Sequence, residues 1–130
     1  VAKRRFLKFG WAVFKSDSWI KGYKQAVQYC KDHKFWRIDI HNRSWVKTVL
    51  KMSKCRGLVF FPQILESCSR IAIEAHVLGL KLLINKNVPV AMEPWFEWSR
   101  EKIVEYLRQQ PKLFWEHIKR LNPEGVVMAK

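Results

Sequence analysis

At 130 residues, nearly half of them apolar and with seven Trp and eight Phe, the chain is expected to form one domain around one continuous core; it shows neither repeats nor Gly/Ser/Pro-rich stretches, which argues against disorder away from its two ends. No apolar run approaches the roughly 18 residues needed to span a bilayer, and the opening VAKRR, expected to be a frayed basic tail over residues 1–5, lacks a signal-peptide core. The net charge of +14 is uneven, +12 over residues 1–60 and +2 over residues 61–130, so the N-terminal half carries a field that draws a polyanion, whether nucleic acid, anionic lipid or a diphosphate.

Phe6 to Phe14 (FLKFGWAVF) is a β-rich apolar run, and Asp17-Ser18 offers an N-cap for an amphipathic helix from Trp19 to about His33. Trp36 to His41 (WRIDIH) reads as a second strand, Asn42 to Ser44 as a cap, and Trp45 to Met52 as a helix with Val46, Val49 and Leu50 on one face. Gly57 to Phe61 (GLVFF) is a continuous apolar run stopped by Pro62, the pattern of a strand buried on both faces of a parallel sheet. After a polar loop, Gln63 to Ser69, the stretch Ile71 to Leu78 forms a helix that Gly79 closes, and Lys81 to Asn85 (KLLIN) makes a fourth strand. Residues 86–98 form an aromatic loop punctuated by Pro, and Ser99 opens a helix that Pro111 is expected to interrupt before it resumes towards Leu121.

This alternation predicts an α/β fold: a single Rossmann-like domain with a small parallel sheet of about four strands, helices on both faces, and C-terminal helices. A ligand crevice then falls at the C-terminal ends of the strands, near residues 15–22, 41–44, 62–70 and 85–96.

Cys30, Cys55 and Cys68 are odd in number and lack paired spacing, which suits free thiols in a reducing compartment and hence a cytoplasmic chain. Cys30-x-x-His33 is an isolated pair, so no metal site is expected. His33, His76 and His117 fall on predicted helices, in packing or solvated roles. Trp95, Phe96 and Trp98 are expected to pack against the C-terminal helices rather than to stack on a ligand, and Leu113, Phe114 and Trp115 to form core or a docking face.

The loop after the third strand places Glu66 before a helix and Glu74 inside it, eight positions later. A helix beginning near Ser69 points free backbone N–H groups, and the positive end of its dipole, at whatever occupies the crevice. Carboxylates accept hydrogen bonds from vicinal diols, so Glu74 can take a ribose and Glu66 a second sugar on either side of a diphosphate. From spacing alone a plainer arrangement stays open: Glu74 paired with Arg70 one turn earlier, and Glu66 a carboxylate favoured by the dipole. His41, at the end of the second strand, can line a base or act as a cap.

Pro62, Glu66, Glu74, Ala75 and Gly79 follow the order strand, Pro, Glu, seven residues, Glu, Ala, and a later Gly before another strand. This segment resembles the C-terminal, nucleotide-sugar donor-binding domain of retaining group-one glycosyltransferases of the two-Rossmann-domain (GT-B) architecture. The likeness covers residues 6–98 and is strongest over 57–85. Trp19-Ile20-Lys21-Gly22 stands where that family often has a Lys-Gly pair opening a helix, and Lys15 lies one step from the place of a common Arg, where Ser16 stands. Ser69 occupies the place of a usual Gly, and Asn87-Val88-Pro89 that of a Gly-Gly pair.

The resemblance implies catalytic roles for Glu66 and Lys21 and donor-binding roles for Glu74, Ser67, Cys68, Ser69, Arg70, Lys15, His41 and Pro62. It implies retention of anomeric configuration, no required cofactor or metal, and a nucleoside-diphosphate sugar as substrate. The leaving diphosphate would be stabilised by a helix N-terminus, Lys21 and Arg70. The acceptor-binding domain of such enzymes is not in this chain, so a second domain or partner chain is expected to complete the site, with peripheral contact to an anionic membrane as a further partner. The rival expectation is a basic nucleic-acid-binding module on a Rossmann-like fold, which explains the charge but leaves Glu66 and Glu74 without a role.

Overall fold

The computed structural model describes residues 8–41 and 44–121. The expected tail at residues 1–5, the beginning of the first predicted strand, Asn42 of the predicted cap and the chain beyond Leu121 lie outside the described residues.

Four short strands, β1 (Trp11–Phe14), β2 (Arg37–Ile40), β3 (Gly57–Phe60) and β4 (Lys81–Ile84), form an all-parallel sheet in the order β2-β1-β3-β4. Trp11 stands opposite both Arg37 and Gly57, and Gly57 opposite Lys81, so all four strands enter the sheet in line. Every residue of β3 is buried, as its unbroken apolar run requires of a central strand covered on both faces.

Helices α1 (Tyr23–Asp32), α2 (Trp45–Ser53) and α3 (Arg70–Val77) cover the two faces. On one face Ala26 and Cys30 of α1 pack against Val13 and Val59. On the other, Met52 of α2 and Ala72 and Ala75 of α3 pack against Ala12, Ile40, Leu58 and Phe60. This is a small Rossmann-like α/β domain. Burial pushes the Cys30 and Cys55 thiols above the ordinary thiol range. Burial also raises the Tyr23 phenol, helped by the hydrogen bond its hydroxyl donates to Asp39 Oδ2 at 2.8 Å.

Three local expectations are corrected. Asp17-Ser18 does not cap a long helix: Ser18 is extended without a side-chain capping bond, Trp19–Lys21 is a 3₁₀ turn, and α1 starts only after Gly22. The left-handed φ of Gly22, 69°, is what separates the two pieces. Second, α2 does not bury Val46 and Leu50. Thr48 Oγ1 donates to the carbonyls of His41 and Ser44, both at 2.9 Å; Thr48 and Met52 face inward, and Val46 and Leu50 are exposed.

Third, Pro111 does not interrupt the last helix. The chain divides into two compact units, Val1–Phe96 and Glu97–Lys130, and among the described residues the second holds one continuous helix, α4 (Arg100–Leu121). A proline removes one N–H donor, that towards Leu107, and here its ring is exposed and the helix runs through. Ser99 Oγ caps α4 by accepting from the Lys102 amide at 3.3 Å, and the Trp98 ring packs on Tyr106 with the Lys102 ammonium 4.5 Å from its centre. Leu113, Phe114 and Trp115 are exposed and form no core. Among the described residues no helix is long and apolar enough to cross a membrane.

Candidate functional site

In the order β2-β1-β3-β4 the chain leaves β1 towards one edge and β3 towards the other, so the loops after these neighbouring strands part and open a crevice at their C-terminal ends. A cleft of about 200 Å³ lies there, with Phe14 and Phe60 from the ends of β1 and β3 at its floor. Its polar walls are Lys21, Glu66, Cys68, Ser69, Arg70 and Glu74, with Trp45 and Thr48 of α2 on a further side.

Each charged wall residue has a structural reason for its position. Lys21 ends the 3₁₀ turn held by Gly22, whose amide donates to the Trp19 carbonyl at 3.1 Å. The Gln63 amide donates to the Ile20 carbonyl at 2.7 Å and ties this turn to the loop carrying Glu66. The Glu66 amide in turn donates to the Asn87 carbonyl at 2.8 Å, while the side-chain amides of Asn85 and Asn87 both donate to the Pro62 carbonyl at 2.8 Å. Three loops are thus bound together behind Glu66. Ser69 caps α3 by accepting from the Ala72 amide at 3.4 Å, and the αL conformation of Gly79 closes the helix at φ 81°.

The charges are arranged in two pairs. The Lys21 ammonium forms a salt bridge with Glu66 Oε1, whose side chain is 15% exposed. Arg70 Nε donates to Glu74 Oε1 at 2.9 Å, and the Trp45 indole N–H donates to the same oxygen, also at 2.9 Å. The plainer expectation for Glu74, pairing with Arg70, therefore holds, and Glu74 still faces the cleft. Two cations and two carboxylates cancel, so the positive end of α3 supplies the residual attraction for an anion.

Of the residues singled out in the sequence, Lys21, Glu66, Cys68, Ser69, Arg70 and Glu74 come together here. Ser67 is exposed on the loop and does not line the cleft. Pro62 is buried and serves through its carbonyl. Lys15 lines a neighbouring hollow with Asp17, Trp19 and Tyr23, and His41 another with Ser44, Lys47 and Lys51. His76 stacks on Phe96, ring centres 3.9 Å apart, with Nε2 against the Phe96 carbonyl, a packing role.

Sequence reasoning missed Trp45, Asn85 and Asn87. Trp45 lies 29 positions from its partner Glu74, and the two asparagines act through a carbonyl that any residue would carry. Among the described residues no group of three or more His, Cys, Asp or Glu side chains is placed to hold a metal ion. No protein-family model, curated protein or solved structure matches this chain.

Proposed function

We propose that this chain is the donor-binding domain of a retaining glycosyltransferase, holding a nucleoside-diphosphate sugar in the cleft between β1 and β3. The observation that carries the reading is the convergence of two cation–carboxylate pairs, Lys21–Glu66 and Arg70–Glu74, at the N-terminal end of α3 on a switch point of a parallel sheet. A diphosphate entering the cleft competes with the carboxylates for Lys21 and Arg70. It takes the cations and frees Glu66 and Glu74 to accept hydrogen bonds from sugar hydroxyls. Glu74, with Trp45 beside it, serves the nucleoside ribose, and Glu66 the transferred sugar.

In this reading the domain acts on the leaving group: Lys21, Arg70 and the α3 amides stabilise the charge that develops on the diphosphate as the glycosidic bond breaks. No cofactor or metal is required. A cleft of about 200 Å³ is smaller than the roughly 300–1,000 Å³ that encloses a drug-sized ligand, so it grips the diphosphate and the edges of the two sugars. The acceptor and the remaining walls come from a second domain or a partner chain. Three free thiols suit a cytoplasmic setting, and the positive charge suits peripheral contact with an anionic membrane that presents the acceptor.

The test is a thermal-shift and calorimetric titration with UDP, GDP, ADP and TDP and their sugar conjugates. The expected result is stabilisation by one base family, about 2.7 kcal/mol at a hundredfold excess over Kd, abolished in Glu74→Ala. No stabilisation by any of these nucleotides, in a protein whose parent and variant melt normally, overturns the reading.

A further inference from the structure

The positive charge is not gathered at the cleft. There Lys21 and Arg70 each meet a carboxylate. A separate group of cations lies at the opposite end of the sheet, where the four strands begin, and the in-line register of the strands brings its members together. Backbone hydrogen bonds draw the entry segments together there: the Phe9 amide to the Lys54 carbonyl at 3.1 Å, Arg56 to Gly10 at 2.9 Å, Trp11 to Trp36 at 2.7 Å and Lys81 to Arg56 at 3.0 Å. Lys34, Lys54, Arg56 and Lys81 are all exposed. Over residues 8–11, 31–37, 53–57 and 78–81 the single acidic residue is Asp32.

Two aromatic rings stand in the same place. Trp36 is 72% exposed and Phe9 55%, and they touch edge to face with centres 6.3 Å apart. Neither belongs to the two core clusters of the domain. An exposed Trp is a large apolar surface left in water, and together with exposed cations on the adjoining entry segments it gives a surface complementary to a polymer that alternates planar rings with negative charges.

We infer that the strand-entry end of the sheet is a binding surface for single-stranded nucleic acid, with Trp36 and Phe9 as stacking platforms and Lys34, Lys54, Arg56 and Lys81 as phosphate contacts. Stacking is indifferent to base identity, so binding is sequence-tolerant and steeply salt-dependent. The surface is separate from the β1–β3 cleft and does not depend on what that cleft holds.

The test uses fluorescence anisotropy of a labelled single-stranded oligonucleotide of about 12 nucleotides, within the usual site size of such surfaces, at several salt concentrations. Trp36→Ala and Phe9→Ala are each expected to weaken binding roughly fivefold or more. The double variant Lys54→Gln/Arg56→Gln is expected to flatten the log–log salt dependence by about 1.4, two phosphate contacts at roughly 0.7 each. Glu74→Ala should bind the oligonucleotide like the parent, which separates this inference from the donor-site reading. Oligonucleotide binding unchanged by all three surface variants overturns it. So does capture by phosphatidylserine–phosphatidylcholine vesicles with no oligonucleotide binding, or loss of oligonucleotide binding in Glu74→Ala alone.

Discussion

Gly22 and Gly79 have nearly the same left-handed backbone, φ 69° and 81°, and different surroundings. A Cβ on Gly22 would run into the Phe61 carbonyl, whereas on Gly79 its nearest neighbour is the flexible end of Lys8, 3.6 Å away. Gly79→Ala should therefore cost only the conformational term, about 1 kcal/mol. Gly22→Ala adds a collision with backbone and should cost at least 1–2 kcal/mol more, by analogy with roughly 1–3 kcal/mol for enforced backbone strain. Urea denaturation of the two variants checks the order; equal costs would mean that the turn relaxes away from Phe61. Because Gly22 follows Lys21, its variant should also weaken any anion binding that Lys21 supports. At this scale the Glu66 and Glu74 spacing was legible because it is local. Trp45 and the asparagines were not, because their contacts join segments far apart in the chain.

Element by element, the sheet was read well and the helices less so. A buried central strand announces itself by an unbroken apolar run, as GLVF does, and Gly79 marks the end of α3 through a conformation few other residues tolerate. Apolar periodicity puts Val46, Val49 and Leu50 on one face of α2, but the face turned to the sheet is marked by a hydroxyl: Thr48 finds two carbonyls inside. The consequence is measurable. Met52 is fully buried and Leu50 57% exposed, so Met52→Ala should cost about 2–5 kcal/mol, whereas Leu50→Ala should stay within about 0.5 kcal/mol. Chemical denaturation decides it, and the reverse order would restore the face that periodicity favours. In α4 the break expected at Pro111 does not occur, since a proline on an exposed helix face removes one donor and the helix runs through it to Leu121.

At the scale of the whole molecule, composition foretold the excess of positive charge but not its place, since only the in-line register of four parallel strands brings Lys34, Lys54, Arg56 and Lys81 to one end. The acid–base behaviour of the fold likewise depends on burial that composition does not reveal. Cys30 and Cys55 are buried on opposite faces of the sheet, and their folded thiols titrate above the ordinary range because burial disfavours the thiolate. The folded state then holds these protons more tightly than the unfolded state. Their contribution to stability is complete below the ordinary thiol range and is lost as pH rises through the raised folded values. Deprotonation of lysines over the same interval relieves repulsion in a chain of net charge +14 and works the other way, so the thiols must be isolated by difference. The stability gap between the parent and Cys30→Ala/Cys55→Ala should stay constant through neutral pH, then narrow above the ordinary thiol range, because only the parent has buried thiols left to ionise. Urea midpoints across pH measure that gap, and a gap that stays constant into strongly alkaline solution would mean that both thiols ionise as readily folded as unfolded.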